Sequence, residues 1–183
     1  MVNLTKKFVL YICTLHLPPV SRTLMITTTQ NFYAEFGIQV QVQEKSVEEL
    51  NFVNDPNAQK LKHREIRENA EISPDAEPTT QEKELYEYKR PPNYIPREII
   101  VYFIKSTSPS TWGCAYRNPK RTSIIITQKA SSHTLAHEIG HVVGLTHVGN
   151  SNNLMCEEPK FTVKPLLNEK QKTTLLASPF LFP

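Results

Sequence analysis

The chain has 183 residues, a formal net charge of +3, 39% hydrophobic residues and 21% charged residues. That length suits one domain with its own core, here expected to span residues 1–183, and the composition is that of a folded chain and not a disordered one. So small a charge, with no concentrated basic stripe, argues against a nucleic-acid partner, and no apolar run approaches the ~20 residues that span a bilayer. A monomer is expected. The three cysteines, Cys13, Cys114 and Cys156, are an odd number at wide spacings, which favours a reducing, cytoplasmic setting over a disulfide framework. A single bridge such as Cys114 to Cys156 stays compatible with the sequence, as does secretion.

Near the start, Lys6-Lys7 followed by Phe8-Val9-Leu10-Tyr11-Ile12-Cys13 imitates a signal peptide. The apolar run is short, however, and leads to His16 and Pro18-Pro19 instead of a small-residue cleavage site, so it reads as a first strand, about Phe8 to Leu15. Pro18 and Pro19 suit the opening of a helix, along which Leu24, Met25, Phe32 and Phe36 recur at helical intervals. Thr27 to Thr29 weaken that helix locally, and Gly37 stands where a glycine cap belongs. Ile38 to Gln43 alternates apolar with polar, the mark of a strand with one wet face. From about 54 to 96 lysine, glutamate, asparagine and proline dominate, with a weakly helical piece at 59–72 and a turn-rich one at 73–80. This reads as a solvated insertion or flap. Glu98 to Ile104 is nearly continuous in branched and aromatic residues, as a buried strand requires. Trp112 to Tyr116 is a short strand, Thr122 to Thr127 another, and Leu166 to Ala177 a closing helix.

The informative stretch is His133-Thr134-Leu135-Ala136-His137-Glu138-Ile139-Gly140-His141-Val142-Val143-Gly144-Leu145-Thr146-His147. On a helix, His137 and His141 project from one face about a turn apart, a spacing that lets both imidazoles reach one zinc ion. Leu135, Ala136, Ile139, Val142 and Val143 supply the buried face, and Ser131 or Ser132 the capping hydroxyl. His147 would face away from a straight helix. Gly144 removes that obstacle, because glycine takes a positive φ at low cost and lets the chain swing back. Three imidazoles and one open position describe a catalytic zinc, whereas a structural zinc has four protein ligands. Glu138, beside the first ligand, is placed to act on water as a general base.

The pattern His137-Glu138-x-x-His141-x-x-Gly144-x-x-His147, followed by Asn153-Leu154-Met155-Cys156, resembles the metzincin clan of zinc endopeptidases. The order of strands and helices upstream is similar too. The resemblance implies an α/β (α+β) fold: a twisted, mixed five-stranded sheet with one antiparallel edge strand, a long backing helix, an active-site helix and a C-terminal helix. It also implies that Met155 lies in a tight turn beneath the metal. Trp112 to Tyr116 would be the edge strand, with Gly113 and Ala115 contacting an extended peptide through the backbone. Val148 stands where the better-known families of the clan carry a characteristic polar, acidic or proline residue. No tyrosine follows Met155, so the extra tyrosine ligand of astacins and serralysins is absent. The chain thus resembles a compact, divergent member with no family assigned within the clan.

The expected activity is hydrolysis of peptide bonds in protein or peptide substrates by zinc-activated water, Glu138 moving the proton from water to the departing amine. Two alternatives stand beside it: a catalytically silent zinc-binding interaction module, and an exopeptidase. Glu138 speaks against the first, and the lack of a residue that would bind a chain terminus against the second. His133, one turn before His137, reads as a half-exposed histidine at a helix start, and His16 and His63 as structural or surface residues. Cys156 reads as a buried cysteine, and residues 157–162 as part of a substrate pocket.

Overall fold

The computed structural model describes residues 6–14, 17–44, 97–104, 111–117, 122–157 and 164–183. The insertion expected at about 54–96, His16, His63 and residues 158–162 lie outside them. The described residues form strands β1 (Lys6–Thr14), β2 (Ile38–Glu44), β3 (Ile99–Phe103), β4 (Gly113–Tyr116) and β5 (Ser123–Ile126), with helices α1 (Arg22–Ala34), α2 (Thr134–Val142) and α3 (Glu169–Leu176). One five-stranded sheet runs in the order β2-β1-β3-β5-β4. Only the β4–β5 pairing is antiparallel, so the expected architecture, antiparallel edge included, is the observed one.

The run that imitates a leader is β1, paired on both sides, by β2 and β3. Strands β3 and β5 are buried along their whole length, as expected of interior strands covered on both faces. Each such isoleucine or phenylalanine contributes roughly 1.5–3 kcal/mol by leaving water.

Helix α1 buries Met25, Thr29, Phe32 and Tyr33, a stripe at helical spacing. Leu24, expected on that stripe, is exposed instead. The helix starts later than Pro18-Pro19: Ser21 is its N-cap and accepts a hydrogen bond from Leu24 N. Thr29 stays helical because its hydroxyl donates to Met25 O. Tyr33 packs edge-on against Phe8 of β1 and donates its hydroxyl to Ala136 O in α2, so α1 holds α2 directly. Helix α3 begins at Glu169, after the expected Leu166, because Leu166 is held extended by bonds to Asn152 O and from Leu154 N. Asn168 then caps it, in a reciprocal box with Gln171. Cys13, Cys114 and Cys156 are all buried and none is in a disulfide, so the Cys114 to Cys156 bridge does not form. None of the helices among the described residues is long and apolar enough to cross a membrane.

Candidate metal centre

Helix α2 is buried over Thr134, Leu135, Ala136, Glu138, Ile139, Gly140 and Val142. His137 and His141 are its half-buried positions and share one side, with ring centroids 4.7 Å apart. The N-cap is His133 and not either serine, and its side chain makes no capping bond. The serines are used in the preceding turn: Ser131 N donates to Thr134 Oγ1, and Ser131 Oγ accepts from His133 N.

At the other end Gly144 adopts φ 96°. Gly144 N donates to His141 O and Leu145 N to Gly140 O, the paired bonds of a Schellman turn, which needs the left-handed residue that glycine supplies. The chain then doubles back and delivers His147. Its Nε2 lies 3.1 Å from that of His137 and 3.0 Å from that of His141, while the latter two are 3.1 Å apart. Helix, glycine turn and third histidine thus bring three ring nitrogens together.

The other ring nitrogens fix the tautomers. His137 Nδ1 lies 2.7 Å from Leu154 O, and His141 Nδ1 2.9 Å from Leu145 O. A carbonyl oxygen only accepts, so each Nδ1 carries the proton and donates, leaving a lone pair on Nε2. Burial pushes His137 down to about 4, and burial with the neighbouring imidazoles pushes His141 down to about 3, so both rings are neutral at pH 7. Their Nε2 lone pairs therefore face each other, an arrangement that repels unless a cation sits among them. Three nitrogens about 3 Å apart are what three imidazoles present when each lies about 2.0–2.1 Å from one ion. The residues present fit a zinc ion, and His137, His141 and His147 are the one group of potential metal-binding side chains among the described residues.

Glu138 lies outside that group, buried, with its Oε2 unpartnered. Burial pushes its carboxyl up to about 8. Gly113 of β4 runs so close that a Cβ there would lie 2.9 Å from Glu138 Oε1 and 3.0 Å from Ile125 O. Glycine at 113 therefore makes room for the carboxylate, a role that its spacing in the sequence does not reveal. Ala115 points its methyl into the core. Thr127 N donates to Trp112 O, so in this register the bonded pairs fall at Trp112, Cys114 and Tyr116. Gly113 and Ala115 consequently direct their N–H and C=O groups away from β5, toward the open side of the edge strand.

Met155 is fully buried beneath the helix, and a Cβ on Gly140 would lie 2.4 Å from its sulfur. His133 is half-buried beside Ser132. Cys156 is outside the histidine group. Sequence reasoning missed Leu145 and Leu154, whose contributions are backbone carbonyls and leave no trace in residue type. It also missed Asn153, which its position two residues before Met155 could have flagged, since asparagine side chains commonly bond the backbone two residues on.

No family model and no curated protein matches the sequence. Among solved structures, the chain is similar to metalloproteinase-II from Bacteroides fragilis, with a TM-score of 0.62 at 18% identity over 96% of this chain and 54% of that one. It is also similar to archaemetzincin from Methanopyrus kandleri, with a TM-score of 0.52 at 11% identity over 93% and 94% of the two chains. The chain thus spans about half the length of the Bacteroides protein. At such identities the likeness is one of fold: this chain shares the fold of these two structures.

Proposed function

We propose that this chain is a zinc-dependent endopeptidase of the metzincin kind, acting as a monomer on protein or peptide substrates. His137, His141 and His147 hold the ion, Glu138 is the general base, and Gly144 and Met155 support the site from the turn and from below. When bound, zinc supplies a Lewis acid that polarises a carbonyl and makes water nucleophilic near neutral pH. An extended peptide lies along β4, bonded to the outward N–H and C=O groups of Gly113 and Ala115. Glu138 accepts the proton of the attacking water as the new C–O bond forms, and returns it to the amine as the C–N bond breaks. Backbone recognition at an open strand edge accepts the middle of a chain, which favours internal cleavage.

One observation carries the reading: the Nε2 atoms of three histidines converge at 3.0–3.1 Å, and Glu138, next in sequence to the first of them, has a buried carboxyl oxygen with no partner. The test incubates the zinc-loaded protein with an unfolded protein, with and without chelator, and maps the cut positions by mass spectrometry. Internal cuts that chelation abolishes are expected. Glu138→Gln should keep one zinc per chain while lowering turnover about 10²–10⁴-fold. Stoichiometric zinc without any cleavage would make the chain a silent binding module, and release of terminal residues alone would make it an exopeptidase.

A further inference from the structure

The peptide unit between Leu154 and Met155 is held on both sides. Its carbonyl accepts from His137 Nδ1 at 2.7 Å, and its N–H donates to Asn153 Oδ1 at 2.9 Å. These two groups belong to one rigid plane and point in opposite directions, so whatever fixes the N–H fixes the carbonyl that orients the imidazole. Asn153 is itself held. Its Nδ2 donates to Gln171 Oε1 at 2.8 Å and its Oδ1 accepts from Gln171 Nε2 at 3.2 Å. Gln171 Oε1 also accepts from Asn168 N at 2.9 Å, which settles which end of that amide is oxygen. Both side chains are buried, Asn153 at 5% and Gln171 at 7% exposure.

A chain of bonds therefore runs from the first turn of α3 through two side-chain amides and one peptide plane to a metal-ligand ring. Each bond polarises the next, and a stronger acceptor at Nδ1 makes Nε2 a better donor to a metal. A buried amide pair that served only to join two segments would not need to end on that peptide.

We propose that Asn153 and Gln171 are positioning residues for the metal centre, setting its affinity through the Leu154–Met155 peptide and His137. This rests on the zinc reading given above. Removing the pair leaves the Leu154 carbonyl free to rotate and the imidazole loosely oriented, so metal is held less tightly.

The experiment measures zinc affinity by competition with a chromophoric chelator, and the visible spectrum of the cobalt-loaded protein, for the wild type, four single variants and one double variant. Asn153→Leu and Gln171→Met remove the clasp at similar volume, so that one remains informative if the other fails to fold. Asn168→Ala removes the N-cap side chain of α3 but keeps the backbone N–H that Gln171 uses, which controls for mere weakening of that helix. His137→Ala removes the ring through which the effect should pass. Each clasp variant is expected to weaken zinc binding about tenfold and shift the cobalt bands. Asn168→Ala should lower Tm without either change. In the His137→Ala background, Asn153→Leu should cost no further affinity. A wild type that binds zinc while both clasp variants bind equally well, or an undiminished loss in the His137→Ala background, would overturn this inference alone. A wild type that binds no zinc would overturn the metal centre and this inference with it.

Discussion

Helix α1 leaves its last turn through Gly37, at φ 72°, and runs on into the edge strand β2, whereas α2 leaves through Gly144, at φ 96°, and brings His147 back over its own histidines. Both helices contribute to one core. They differ in what the exit residues are bonded to. Past α1, Gly37 N–H simply donates to Ala34 O. Past α2, Gly144 and Leu145 close a double turn, and the Leu145 carbonyl then accepts from His141 Nδ1. The same conformational device serves connectivity in one place and the convergence of three imidazoles in the other. A glycine cap announces a reversal, and the next few residues decide its purpose.

The sharpest way to break this contrast is to add one methyl to each glycine. A left-handed residue other than glycine costs about 1–2 kcal/mol, and at Gly144 the added Cβ would also meet Arg117 Nη1 at 3.1 Å. Gly144→Ala should therefore lower Tm and weaken zinc binding about 10–100-fold, because His147 is carried off target. Gly37→Ala should lower Tm with zinc affinity unchanged, and equal affinities for the two variants would erase the distinction. Gly113→Ala tests the opposite wall of the site. Displacing the base by a fraction of an ångström or more should lower kcat by up to about 10²-fold, with KM and zinc content close to wild type in steady-state and metal assays.

Titration sharpens the comparison further, since α2 carries buried ionisable groups. Glu138 titrates near 4.5 ordinarily and near 8 in the folded, metal-free chain. Its folded value is raised, so the stability it contributes is present below its unfolded pKa and lost as pH climbs toward 8. His137 and His141 are depressed, so theirs is present above about 6.5 and lost as pH falls toward 4 and 3. In chelator, the Tm advantage of Glu138→Gln over wild type should grow between pH 5 and pH 8. A Tm difference independent of pH would sink the burial account. The smallest effect is expected from Tyr33→Phe, which removes the hydroxyl bond from α1 to Ala136 O. About 0.5–1.5 kcal/mol should be lost in denaturant titrations, with metal affinity intact.

Much of this was legible in the chain. The spacing of His137, His141 and His147, the glycine between them and the dense apolar run of β3 each follow from a short-range rule, so residue type alone was enough. The resemblance to a known clan added the antiparallel edge. Helix starts were less legible, because Ser21, His133 and Asn168 are chosen by how the preceding segment is bonded: Leu166 was drawn away from helix by its pairing with Asn152 and Leu154. The carbonyls of Leu145 and Leu154 were invisible, since every residue has one. Gly113 and Gly140 were visible as glycines, yet what each makes room for comes from a distant part of the chain, which spacing cannot report.

Gly140 and Met155 show where that leads. The space a methyl group would take on the helix is already filled by a thioether, the sulfur lying 2.4 Å from where the Cβ would be. Bulk at these two positions is therefore a shared quantity, and a larger residue at one demands a smaller one at the other. A glycine in a helix interior weakens it by roughly 0.5–1 kcal/mol relative to alanine, and this one directly precedes His141, one of the proposed ligands. The helix is thus intrinsically softest where an ion would attach, and the methionine packed below it offsets that softness.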